Sequence, residues 1–146
     1  MQKYIKFSLK YILRSRLFTA KYSNAIDKLC ECTNDEINDY NNRTFVSLFR
    51  YAYTNSEFYR DFYKEHGIGI DDIKSINDIE KLPIITKDIV RSNIDKICIG
   101  NKRYLQKVST SGTTGNALPL YQSYESVLIE QAYVNKYRKM CGFNIG

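Results

Sequence analysis

A helical period over the first half of the chain constrains its fold most. Ile37, Tyr40, Thr44, Phe45, Leu48, Phe49 and Ala52 recur at intervals of three and four residues, which gathers them on one wide apolar side of an α-helix. Thr33 stands where a cap belongs, and Glu36 three residues later completes a capping box, with Cys32 and Ile37 in the flanking staple positions. A shorter helix is expected from Asn55 or Ser56. It would bury Phe58, Tyr59, Phe62 and Tyr63 and end at Gly67. Aromatics make up 14% of the chain, a density that also suits base stacking. At helical spacing such residues are far more often core, and they are assigned to it.

Beyond Gly67 the signals shorten. Ser75 with Asp78 marks the start of one helical turn, and Leu82-Pro83 reads as extended because proline disfavours helix at the residue before it. Thr86 is placed to cap a helix over residues 87–93, while Ile97-Cys98-Ile99 is too short to assign. At Arg103 the period changes. Tyr104, Gln106, Val108 and Thr110 alternate with Leu105, Lys107 and Ser109, the pattern of a strand. Leu118–Gln122 reads as a second strand whose Pro119 suits an edge or an irregular start. A last helix is expected from Tyr124 to Cys141, capped by Ser123, with Glu125 in its first turn and Gly142 past its end. The fold class is therefore α+β: N-terminal helices leading into a strand, a Gly/Ser/Thr loop, a strand and a final helix.

Charge divides the chain further. The net charge of +6 comes from six bases before Asp27 (Lys3, Lys6, Lys10, Arg14, Arg16 and Lys21), since all 16 acids lie at or after that residue. A nucleic-acid domain spreads its positive charge over a face, so the balance after Asp27 argues against nucleic acid as a partner. Residues 4–22 fit a helix in which Ile5, Leu9, Ile12 and Leu13 share one side, Tyr4, Phe7, Tyr11 and Phe18 a second, and Lys3, Lys6, Lys10, Arg14 and Lys21 a third. Two readings stand: a helix lying on an anionic membrane surface, or a docking helix with a solvated basic edge. The expected organisation is a basic helical arm over 1–26 followed by a body over 27–146. No apolar run approaches the ~18 residues of a membrane span, and the N-terminus lacks the apolar stretch of a secretory signal. Four cysteines, two of them as Cys30-Glu31-Cys32, fit neither a disulfide framework nor a zinc site, so a cytoplasmic protein with reduced thiols is expected. Cys98 and Cys141 read as buried small apolar residues. His66, the single histidine, reads as a solvated helix-end residue, and Asp71-Asp72 as a solvated turn rather than a carboxylate pair.

One segment has a specific chemical reading. Ser109, Thr110, Ser111, Thr113 and Thr114 place five hydroxyls within six positions, with Gly112 among them and Gly115 after them. Glycines let backbone N–H groups approach an anion, and hydroxyls add donors. No acid lies between Asp95 and Glu125, whereas Lys96, Lys102, Arg103 and Lys107 do, so the local field favours phosphate. No Walker sequence is present. On composition alone, an anion-binding loop and a hairpin loop built from turn residues stand level.

The stretch Ser109-Thr110-Ser111-Gly112-Thr113-Thr114-Gly115 resembles the phosphate-binding loop of the adenylate-forming superfamily. With Phe58-Tyr59 and Leu82-Pro83-Ile84-Ile85-Thr86-Lys87-Asp88 upstream, residues 35–146 resemble the phenylacetate–CoA ligase family and its relatives in capsular polysaccharide biosynthesis. The resemblance implies an AMP-binding fold cut to its N-terminal part. It implies activation of a carboxylic acid by ATP and Mg²⁺ as acyl-AMP, then transfer to CoA or another acceptor. Carried over by position, Thr110, Ser111, Gly112, Thr113, Thr114 and Gly115 would hold the ATP phosphates; it assigns no catalytic residue and no metal ligand. The family loop often continues Gly-Lys-Pro, whereas here Asn116-Ala117-Leu118 precedes Pro119. The adenine, ribose and acyl pockets of the family come after this loop, so the 146-residue chain alone is expected to be inactive. The alternative is a non-catalytic peripheral module using the basic helix on a membrane or a partner.

Overall fold

The computed structural model describes residues 16–110 and 117–143. Five α-helices among the described residues are α1 (Arg16–Glu31), α2 (Asn34–Asn55), α3 (Glu57–Glu65), α4 (Lys87–Ile97) and α5 (Tyr124–Met140). Strands β1 (Leu105–Ser109) and β2 (Pro119–Ser123) form a two-stranded sheet. The α+β architecture is the expected one. The chain divides into two compact units, Thr33–Tyr121 in one and Met1–Cys32 with Gln122–Gly146 in the other.

In the first unit, local signals set the helices. The Thr33 hydroxyl accepts from the Glu36 N–H while the Glu36 carboxylate accepts from the Thr33 N–H at 2.8 Å, closing the capping box of α2. Ser56 caps α3. At its far end Gly67 turns with φ +74°, and the Ile68 N–H bonds back to the Tyr63 carbonyl at 2.9 Å. That reversal delivers Ile68 to a core shared with Phe49, Tyr53, Tyr63 and Ile73. Its rings sit close: Phe49 to Tyr63 is 5.3 Å between centroids, and Tyr53 and Tyr63 are near parallel at 6.5 Å. Burial pushes the Tyr59 and Tyr63 phenols up from their ordinary value.

The apolar side of α2 is narrower than its spacing predicts. Phe49 is buried and Phe45 and Ala52 half-buried, yet Tyr40 and Leu48 are 47% and 63% exposed, and Tyr53 takes their place in the core. α3 covers only one side of α2, so Leu48, about a quarter of a turn from Phe49, and Tyr40, about half a turn from it, stay in solvent. The turn at Ile76–Lys81 forms as expected, a 3-10 turn started by Ser75 and Asp78, and the Asn42 side chain receives the Ile76 N–H at 2.8 Å. Asp71 and Asp72 point to different partners: Asp71 to Arg50 at 3.0 Å, Asp72 to the Gly69 N–H at 2.6 Å. Thr86 caps α4, which runs one turn past residue 93 because Ile94 and Ile97 continue its half-buried side. β1 starts at Leu105, and Lys102–Tyr104 form a 3-10 turn in place of its expected first residues.

In the second unit α1 and α5 pack side by side and parallel. Tyr22 donates to the Glu125 carboxylate at 2.7 Å, and further along both helices Lys136 pairs with Asp27. Ile26 and Ala132 are buried there. Helix α1 continues to Glu31, beyond residue 22, and residues 4–15 of the predicted basic helix lie outside the described residues. Ser123 caps α5 as expected and Gly142, at φ +81°, follows its end, but Cys141 is exposed rather than buried, standing just past the last turn of α5. No described helix is long and apolar enough to cross a membrane.

Candidate functional site

The root of the β1–β2 hairpin carries the chemistry singled out in the sequence. The Thr110 N–H donates to the Leu118 carbonyl at 3.1 Å, and the Leu118 N–H donates to the Thr110 hydroxyl oxygen at 3.1 Å. These two bonds close the hairpin and fix Thr110 opposite Leu118. Thr110 is the described member of the predicted phosphate set. Its hydroxyl oxygen serves the hairpin, and its O–H proton remains a donor. Ser111, Gly112, Thr113, Thr114 and Gly115 lie outside the described residues. Proline starts β2, where its missing N–H interrupts no pairing at the strand end.

Counting back from Thr110 and Leu118 along antiparallel strands sets Lys107 opposite Tyr121. One carboxylate gathers the part of the hairpin away from that closure. Asp95, in the last turn of α4, accepts from Lys102 at 2.5 Å and from the Tyr121 hydroxyl at 3.4 Å through the same oxygen. The Lys102 ammonium stands 5.6 Å from the centre of the Tyr121 ring. Lys102, then Tyr121 and the nearby Lys107 charge, hold the Asp95 carboxyl below the usual carboxylate range, and Asp95 in turn raises Lys102.

The cations predicted to favour phosphate therefore divide. Lys102 is paired with Asp95 and Lys96 with Glu57 at 3.0 Å, whereas Arg103 and Lys107 are exposed and have no ion pair among the described residues. Among the described residues near Thr110 the donors are its own hydroxyl and the Lys107 ammonium, and the Asp95 carboxylate is claimed by Lys102 and Tyr121. His66 sits at the end of α3, exposed, with its ring nitrogen 2.8 Å from the Phe62 carbonyl, the helix-end role its position predicts. The sequence reading missed the Asp95–Lys102–Tyr121 cluster, whose one signal is the acid that opens the acid-free stretch.

No family model matches the chain. It is similar to Protein CapK of Staphylococcus aureus, 31% identical over 131 residues that make up 90% of this chain and 28% of that protein. It is also similar to the phenylacetate-coenzyme A ligase of Escherichia coli (strain K12), 26% identical over 92 residues, 62% of this chain and 21% of the ligase. The chain thus spans about a quarter of the length of the curated relatives it matches. These similarities relate the chain to a ligase.

Proposed function

We propose that the chain supplies the phosphate-holding part of an ATP-dependent ligase that activates a carboxylic acid as acyl-AMP. The hairpin closure at Thr110 and Leu118 carries this reading, because it brackets the Ser/Thr/Gly segment and leaves the Thr110 proton free to donate. Likeness to a phenylacetate-coenzyme A ligase supports the reaction class. Attack of a carboxylate on the α-phosphate gathers negative charge on phosphate oxygens. Donors already aimed at those oxygens lower the barrier. Thr110, Ser111, Thr113 and Thr114 would supply hydroxyls, Gly112 and Gly115 close backbone approach, and Arg103 and Lys107 long-range charge. ATP would bring Mg²⁺ on its own phosphates, and the ion would neutralise part of the charge that this chain's donors also meet. CoA is the acceptor that the ligase similarity favours.

Titration of the 146-residue chain with Mg-ATP tests the reading. Binding that weakens at least tenfold in Gly112→Val and in Thr113→Val is expected, with no ATP–pyrophosphate exchange across a panel of aryl and aliphatic acids. Binding indifferent to both substitutions would remove the phosphate role. Robust exchange by this chain would show that it holds acyl and adenine sites of its own.

A further inference from the structure

We propose that the cleft between α1 and α5 binds a small hydroxylated carboxylate, of the α-hydroxy or sugar acid kind. This goes beyond the phosphate reading and does not depend on it. Ile26 and Ala132 are buried, as a packed helix pair requires. Alongside Ala132, however, the helices leave a cleft of about 340 Å³, near the lower end of the ~300–1,000 Å³ of small-molecule sites. Polar side chains line it: Ser23, Asn24 and Asp27 from α1, and Asn135, Lys136 and Lys139 from α5. Residues 23, 24 and 27 share one side of a helix by spacing, and so do 135, 136 and 139. Each helix thus turns a polar side to the cleft.

The chemistry of the lining selects the ligand. Asp27 pairs with Lys136, and that contact, with Lys139 at longer range, holds the Asp27 carboxyl below the usual carboxylate range. The paired charges offset each other at neutral pH, and Glu31 acts on Lys136 from outside the lining. Lys139 has no ion pair among the described residues, so it is the cation left to the cleft, and a carboxylate is its natural partner. The other groups suit hydroxyls. Lys136 meets one Asp27 oxygen, which leaves the second to accept. Asn135 accepts from Gln131 at 2.9 Å through its oxygen and keeps both N–H donors. Ser23 donates to the Thr19 carbonyl at 3.3 Å and keeps its oxygen as an acceptor. The Asn24 amide makes no hydrogen bond among the described residues and offers both kinds of group. Phosphate would be repelled by such acceptors, whereas a hydroxyl donates to an oxygen and accepts from an amide. Phe143, 66% exposed, also lines the cleft and adds an apolar contact for the carbon side of the ligand.

An amide chemical-shift titration of the intact chain with four probes tests the site: D-glucuronate, D-glucose without the charge, acetate without the hydroxyls, and inorganic phosphate. D-Glucuronate is expected to give saturable shifts at Ser23, Asn24 and Asn135, with affinity about fivefold or more above the other three. Lys139→Gln should weaken it about three- to tenfold, the span of one charge-assisted contact at an accessible site. Asn24→Ala should weaken it about twofold. Ala20→Leu, which fills the cleft from an exposed position on α1, should abolish saturation. Lys28→Gln, exposed on the same helix and outside the lining, should change nothing. No saturable shift in the wild-type chain overturns the proposal. So does binding that Lys139→Gln and Ala20→Leu both leave intact. Affinity for acetate, D-glucose or phosphate equal to that for D-glucuronate would overturn the hydroxylated carboxylate as the ligand class.

Discussion

The aromatic core around α2 and α3 and the hairpin root beside α4 belong to the same unit and are held by different physics. In the core, Phe49, Tyr53, Tyr63, Ile68 and Ile73 are all at most 9% exposed, and contact between rings and aliphatic groups excludes water. At the root the ties are polar and wet: the Asp95 and Lys102 side chains are 71% and 41% exposed. Exposed ion pairs contribute about 0–1 kcal/mol each, whereas full burial of one large apolar side chain contributes about 1.5–3 kcal/mol. Stability should therefore reside in the first region. Anion chemistry, which needs solvent-accessible donors, is what we propose for the second.

Substitutions can break that contrast, and the largest effect belongs to the core. Ile73 is fully buried, and Ile73→Ala should lower unfolding free energy by about 3 kcal/mol in a urea titration. A loss under about 1 kcal/mol would mean that the core is not where stability lies. Ser56→Ala comes next, at about 1–2 kcal/mol, because it removes the α3 cap and strands the Lys96 carbonyl. It should also speed exchange at Thr110, which links the two regions; an unchanged hairpin would separate them.

Acid sharpens the comparison. Lys81, with the Lys74 and Ser75 N–H groups, holds the Asp78 carboxyl far below its ordinary value of 3.8. A carboxyl lowered by folding stabilises above its unfolded value and loses that contribution as pH falls through the folded one. Stability should thus decline below about pH 4. Asp78→Asn should flatten that decline in thermal melts taken from pH 5 to pH 2, and an equally steep decline in the variant would assign it to other carboxylates. The smallest effect is expected at Leu48, 63% exposed, where Leu48→Gln should shift stability by less than about 0.5 kcal/mol.

Local signals in the sequence were legible and distant ones were not. Thr33 with Glu36, Thr86 and Ser123 each cap the helix they were expected to cap, because a cap and its partner lie within three residues. Spacing alone overstated the apolar side of α2. Tyr40 and Leu48 fit the period as well as Phe49 does, and only the position of α3 decides which are covered. Tyr53 was legible as the next residue four beyond Phe49. The ties of Asn42 to Ile76, Arg50 to Asp71 and Asp95 to Tyr121 span 34, 21 and 26 residues, and no pattern announces which polar groups meet over such distances. The parallel packing of α1 on α5 is hidden for the same reason, its Tyr22–Glu125 bond spanning 103 residues. At the candidate site the hydroxyl-rich segment was plain from composition. The contacts of Asp95 with Lys102 and Tyr121 were not.

The most direct test of the account is an amide chemical-shift map of the chain titrated with Mg-ATP and, separately, with inorganic pyrophosphate. The account predicts shifts for both ligands concentrated at Thr110, Gly112 and Gly115, with smaller ones at Lys107 and Tyr121 and none in the aromatic core. Shifts spread over the basic N-terminal residues with the hydroxyl-rich segment unmoved would contradict it.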